Sequence, residues 1–240
     1  MICKANLDML LCNSICFVTR NEKDGEKTMI IHQDNEIIVC EKPYGVSSQE
    51  SGGENMVKAL SSLCGGEVYP VHRLDTQTTG LMVYARTKES AASLSRQIAD
   101  KTFKKEYLCL CHGDISGSGE MVDFLYHDRV KNKSFVSKTK RRGTKEARLD
   151  YTVISKKSSG ECELSLVRVK LHTGRTHQIR VQFSSRGFVL YGDGKYGAKD
   201  NGRIHLHSAS LSFTHPIKKE RMSFSSVPEG ELWDILRVCE

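Results

Sequence analysis

The chain has 240 residues, 38% of them hydrophobic, which suffices for one large domain or two small ones with a packed core. A formal net charge of +7 and a pI near 8.9 favour a polyanionic partner such as nucleic acid over a cationic ligand. Nine scattered cysteines, whose closest pairs Cys109/Cys111 and Cys12/Cys16 lack the doubled spacing of a zinc site, read as reduced thiols of a cytoplasmic protein and imply no metal.

Met1 to Phe17 holds one lysine, a central aspartate and only a short apolar run. It makes a poor signal peptide and is too short to span a bilayer, so neither export nor a membrane partner is expected. Arg20 to Lys27 is a run of charge that reads as a linker. Residues 1–28 are therefore expected to be an N-terminal extension, with Met29 a candidate start and residues 29–240 the folded domain.

Glu36 to Lys42 is rich in β-branched residues and stops at Pro43-Tyr44-Gly45, the pattern of a strand ending in a turn. From Glu54 to Cys64, Met56, Val57, Leu60 and Leu63 recur at helical spacing, and Gly65-Gly66 supplies the stop. A short strand over Val68 to Val71 leads into His72-Arg73-Leu74-Asp75-Thr76-Gln77-Thr78-Thr79-Gly80. That loop crowds an acid and two basic side chains between apolar runs, the second being the strand Leu81 to Ala85. Thr87 is placed to cap a helix with Ala91, Leu94 and Ile98 inward. Lys104 to Cys111 then reads as a strand with Lys105, Tyr107, Cys109 and Cys111 on one side.

Between Arg129 and Arg148 lies a strongly basic segment containing Phe135, which suits either a phosphate-tracking surface or a solvated hairpin. Downstream, Leu164 and Leu166 alternate in one phase while Val167, Val169 and Leu171 take the other, which predicts a bulge near the slip. Thr173 or Thr176 is expected to start a helix with Ile179 and Phe183 inward, a solvated polar face, and Gly187 as its end. Tyr191 to Gly197 is a glycine-punctuated turn, and Leu206 to Phe213 a further strand.

Taken singly, these features admit plain structural readings: a solvated Asp75 in a surface turn, a core tyrosine at 107, a surface cation at 180. Together and in this order, however, His72-Arg73-Leu74-Asp75 with Thr78-Thr79-Gly80, Lys105-Glu106-Tyr107, Thr173 to Arg180, Gly192-Asp193, and Leu206-His207 through His215-Pro216 resemble the signature segments of the RluA-type pseudouridine synthases. The resemblance runs from about Ile30 to Phe224 and includes Glu41-Lys42-Pro43-Tyr44-Gly45. It departs at Thr79, where the family usually has Ser, and at Ser208, where it usually has Ala. The extra N-terminal RNA-binding domain of larger members is not expected in a chain of this length.

The resemblance implies an α+β catalytic domain on a mixed, mainly antiparallel central sheet. It also implies an enzyme that isomerises specific uridines to pseudouridine in ribosomal or transfer RNA, as a monomer and with no cofactor. Asp75 would be the nucleophile, a role that suits a carboxylate kept ionised. Arg180 would pair with it and Tyr107 would stack on the base and help with its proton. Arg73, two residues before Asp75, would fill the gap left by a flipped uridine, and His72, Lys105, Arg175, His177 and Gln178 would complete the substrate-binding set. The alternative from another class is an RNA-binding or RNA-folding protein with secondary or lost catalysis. A kinase reading of His72 to Asp75 fails, since the aspartate is displaced by one and no glycine-rich phosphate loop accompanies it.

Overall fold

Two strands are apolar on both faces, and the sheet is built outward from them. The structure, a computed structural model, describes residues 29–159 and 162–235, so the expected extension over residues 1–28 lies outside the described residues. In β2 (Ile37–Lys42) and β4 (Thr79–Ala85), Ile38, Cys40, Met82 and Tyr84 face one core. Ile37, Val39, Leu81 and Val83 face another on the opposite side. A strand covered on both faces reads as a continuous apolar run and sits inside a sheet.

With β1 (Met29–Gln33), β5 (Lys104–His112), β6 (Ser118–Asp128), β7 (Lys133–Ser137), β8 (Lys145–Ser159), β9 (Cys162–Leu171) and β10 (Leu206–Thr214), they form one sheet in the order β1-β2-β4-β10-β5-β9-β8-β6-β7. β3 (Tyr69–Pro70) flanks β4, and β11 (Arg221–Ser225) flanks β10. All pairings are antiparallel except β4 with β10, which meet side by side at Thr79–His207 and Gly80–Ser208. The mixed, mainly antiparallel sheet with few helices is the α+β architecture expected from the sequence.

Local signals fix most boundaries. Asn55 caps α1 (Met56–Cys64) by accepting from the Lys58 amide at 3.0 Å, and Gly65 and Gly66 end it with φ of 61° and 104°. Leu63, the last residue of that helical spacing, is half exposed. Thr87 caps α2 (Lys88–Ala99) through the Ser90 amide at 3.1 Å, with Leu94 buried. The strand before the loop is only two residues long, and the one after it begins at Thr79 rather than Leu81.

The predicted bulge exists, but on the neighbouring strand. β9 pairs with β5 without a slip, and the shift lies between Val153 and Ser155 of β8. The two phases of apolar residues in β9 reflect two covered faces. Leu164 and Leu166 pack with Leu110 and Trp233, whereas Val167, Val169 and Leu171 join the main core.

Helix α3 (Gln178–Ser184) begins later than expected, behind His177 with φ 54°. Neither threonine caps it, because the Thr173 hydroxyl accepts from the Arg148 amide (2.8 Å) and donates to Gln178 Oε1 (2.8 Å). Its polar face is not solvated: Gln178, Arg180 and Gln182 are 3%, 2% and 0% exposed. A buried polar helix face must find partners inside the protein.

Gly80 permits the parallel contact. It has φ 103°, and a Cβ there would overlap the backbone of Ser208. Gly80→Ala is expected to cost roughly 3 kcal/mol or more in denaturant unfolding, against about 1 kcal/mol for Gly66→Ala, whose φ is similar but whose surroundings are open. Equal costs would show that the β4–β10 contact does not need glycine.

Candidate active site

Asp75 is held in place by the residues on either side of it. Before it, the Ser48 hydroxyl donates to the Leu74 carbonyl (2.8 Å) and accepts from the Leu74 amide (3.2 Å). After it, the Thr76 carbonyl accepts from the Gly45 amide (2.9 Å) and from the Lys42 ammonium (3.0 Å). The same ammonium donates to the carbonyls of Pro43 and Val46, both at 2.8 Å. Lys42 is 1% exposed; burial lowers its pKa to about 8, with the Asp75 charge pulling the other way. A lysine with three carbonyl acceptors thus ties the turn after β2 to the Asp75 loop.

His72 lies under the loop. Its Nε2 accepts from the Val83 amide at 3.2 Å, its ring packs on Phe103, and burial lowers its pKa to about 3. The acceptor role puts the proton on Nδ1, which has no hydrogen-bond partner among the described residues.

Opposite stands Arg180. Its Nε and Nη2 donate to the two carboxylate oxygens of Asp193 at 2.7 and 2.8 Å, while Nη1 reaches Asp75 Oδ2 at 3.4 Å. Asp193, fully buried, is the main partner, and the longer contact leaves the Asp75 carboxylate available. Burial opposes the charge of Arg180, but the hydrogen bonds and charge of Asp193, aided by Asp75, outweigh it and raise the pKa. The guanidinium also lies over the Tyr196 ring, 5.1 Å from its centre.

His177 places Nε2 3.7 Å from Asp75 Oδ2 and Nδ1 3.0 Å from the Tyr196 hydroxyl. Burial lowers its pKa to about 4, against the pull of Asp75, so the ring is neutral near pH 7. Gln178 organises the loop before α3: its Oε1 accepts from Thr173 and from the Arg175 amide, and its Nε2 donates to the Arg148 carbonyl.

His72, Asp75, His177, Gln178 and Arg180 border one cleft of about 460 Å³, together with Arg73, Lys105, Tyr107 and Arg175. Arg73 and Arg175 are exposed at its margin, and the Arg175 Nε donates to the Glu146 carbonyl. Burial lowers the Lys105 pKa. Tyr107 is 5% exposed; burial and then the Asp75 charge raise its pKa. All nine residues singled out in the sequence thus meet here, although His72 and Gln178 spend their polar atoms mainly on backbone.

The basic segment 129–148 is a hairpin and its following loop, with Arg129, Lys131, Lys138, Lys140, Arg141 and Arg142 exposed. It is wired to the cleft through Ser134, whose hydroxyl donates to the Thr176 carbonyl (2.6 Å) and whose amide donates to the Tyr196 hydroxyl (2.8 Å). Lys42, Asp193 and Tyr196 were not singled out as site residues in the sequence. Asp193 carried a signal, since an acid between two glycines in a turn needs a partner once buried.

The family described as RNA pseudouridylate synthase matches residues 36–185. An uncharacterised RNA pseudouridine synthase of Aquifex aeolicus (strain VF5) is 36% identical over 81% of this chain and 67% of its own length. The ribosomal large subunit pseudouridine synthase D of Zymomonas mobilis is 31% identical, covering 86% of this chain and 71% of its own. The tRNA pseudouridine synthase C of Pasteurella multocida is 29% identical over 88% and 96%. Human RNA pseudouridylate synthase domain containing 1 superposes with a TM-score of 0.72 over 86% of each chain at 23% identity, a likeness of fold.

Asp193→Ala leaves a buried guanidinium without its main partner and is expected to lower unfolding free energy by about 3–5 kcal/mol. Pairing it with Arg180→Met should restore much of that loss; a double variant no more stable than Asp193→Ala would show that the charge was not the cause.

His72 gives a pH dependence. Its folded pKa, about 3, lies below the ordinary 6.5. Above pH 6.5 both states are neutral; below it only the unfolded chain takes up the proton, so stability falls with pH down to about 3. His72→Gln should reduce the slope of unfolding free energy against pH between 6.5 and 4 by about one proton, ~1.4 kcal/mol per pH unit. An unchanged slope would refute this assignment.

Proposed function

The chain belongs to the RluA-type RNA pseudouridine synthases, enzymes that isomerise uridine in RNA, and from that premise we propose that Asp75 is its nucleophile and a uridine of ribosomal or transfer RNA its substrate. The observation that carries the assignment is the setting of Asp75: its backbone is fixed on both flanks, its carboxylate opens to the cleft, and a buried arginine held by another acid faces it.

In the reaction the N1–C1′ bond breaks, uracil rotates, and C5 bonds to C1′; C5 loses a proton and N1 gains one. Asp75 meets the electron-poor sugar carbon. Arg180 faces Asp75, and because Asp193 holds the guanidinium through two hydrogen bonds, little reorganisation is needed as charge shifts. Tyr107 stacks on the uracil and helps with the C5 proton. A neutral His177 keeps a hydrogen-bonding edge beside Asp75 without neutralising it.

Arg73, exposed two residues before Asp75, fills the space of the flipped nucleotide, and Lys105 and Arg175 hold the RNA at the cleft margin. Residues 29–240 act as one catalytic domain, monomeric and cytoplasmic. Among the described residues no helix is long and apolar enough to cross a membrane.

A chemical map of pseudouridine in total RNA from cells with and without the gene tests this. Sites should vanish with the gene and return with the intact chain but not with Asp75→Asn, which should keep most RNA affinity. An unchanged map, or rescue by Asp75→Asn, would overturn the assignment. Arg73→Ala should lose activity on folded RNA and retain more of it on an unstructured strand; equal activity on both would remove Arg73 from base flipping.

A further inference from the structure

On the other flank of the Asp75 loop lies a second cavity, of about 370 Å³, for which the isomerisation has no use. That volume falls within the range of small-molecule sites, roughly 300–1,000 Å³. Thr79 and Gly80 border it, and Gln77 Nε2 reaches the Tyr44 hydroxyl beside it at 3.4 Å. The loop that presents Asp75 to one cleft therefore helps to wall the other.

Three features describe what the cavity accepts. At its margin the exposed Arg203 guanidinium lies 4.8 Å above the centre of the Tyr44 ring. A stacked arginine–tyrosine pair is a flat surface on which a nucleobase can extend the stack. Deeper in, the His205 and Trp233 rings lie 5.1 Å apart, so the wall is also aromatic. The third feature is charge. Glu41 and Glu229 border the cavity, and the Lys42 ammonium there is committed to three carbonyls. A neutral, planar occupant fits a lining in which Lys42 and Arg203 balance the two carboxylates. As acceptors, the carboxylates favour a base with an exocyclic amino group over uracil. At the cavity floor His207 bonds Thr79 Oγ1 (2.8 Å) and Ser226 Oγ (3.0 Å), and the Ser226 hydroxyl donates to Glu41, so the wall is braced.

From this geometry we infer that the cavity is a subsite for an unpaired, amino-bearing base of the RNA, a non-target nucleotide near the uridine at Asp75, stacked on Tyr44 and Arg203. The inference rests on RNA being the substrate and adds a second point at which sequence is read. It is independent of the chemical step.

Trp233 is the sole tryptophan of the chain and lies in the cavity wall, so its fluorescence reports occupancy. The probe is single-stranded hexa-adenylate, which carries the amino group and contains no uridine to react. Saturable quenching is expected with the full-length protein, weaker with hexa-uridylate. Tyr44→Ala and Arg203→Ala should each weaken it by roughly tenfold, the scale of one lost base stack; both side chains lie at the margin rather than in the core, so folding is preserved. Asp75→Asn should leave the response intact. Absence of quenching, quenching unaffected by both margin variants, or its loss in Asp75→Asn would overturn the subsite. Because no uridine is present, such a failure is separate from a failure to form pseudouridine.

Discussion

Burying the Arg180 guanidinium is the constraint on which the centre of this protein depends. A charge at 2% exposure is strongly unfavourable unless paired and hydrogen-bonded. Here three nitrogens are used by two carboxylates, and the ring of Tyr196 covers a face. The pairing is unequal in a useful way. Asp193 takes the two short bonds and is itself inaccessible, so it serves structure. Asp75 takes the single long bond and keeps access to the cleft. Had both acids shared the arginine equally, neither carboxylate would be free to meet a substrate.

The second requirement is that Asp75 stay put, and the sheet supplies it. β4 and β10 run parallel where they touch, at the end of β4 nearest the loop. Gly80 lets the two backbones approach there, and Tyr107 and Ser208 meet across the next ladder. The loop leaves this rigid point and is bonded at Leu74 and Thr76, so Asp75 has little room to move. Lys42 contributes through hydrogen bonds to backbone alone, and a neutral side chain of the same length could not donate to three carbonyls at once. Preorganisation here comes from backbone pinned by buried polar side chains, not from contacts of the carboxylate itself.

Elements set by local chemistry were legible in the sequence. The cap at Thr87, the glycine stop after α1 and the alternation in β5 are decided by neighbours a few residues away. The site residues were legible as a set only because several spaced motifs in order resemble one family; no single spacing placed Asp75 beside Arg180, 105 positions later. What was not legible depended on distant partners. The polar face of α3 has the pattern of a solvated helix, and its burial is explained by partners distant in sequence: Asp193 for Arg180, Asp123 for Gln182 and the Arg148 carbonyl for Gln178. Opposite phases in β9 pointed to a bulge, yet a strand with two covered faces produces the same pattern. Thr173 has the chemistry of a cap but is spent on Arg148 and Gln178.

The basic hairpin shows how charge at the surface can bear on chemistry at the centre. Its exposed cations would gather phosphates from any RNA, a salt-dependent attraction without sequence preference. Its inner edge is different. Ser134 bonds both the Thr176 carbonyl and the Tyr196 hydroxyl, and Tyr196 in turn meets His177 and Arg180. The strand thus joins a cationic surface on one side to the partners of Asp75 on the other through a few hydrogen bonds. A phosphate backbone docked on the hairpin would therefore favour the arrangement that holds Arg180 and His177 toward Asp75. Affinity contributed by phosphates remote from the reacting uridine can in this way be used to order the groups that act on it.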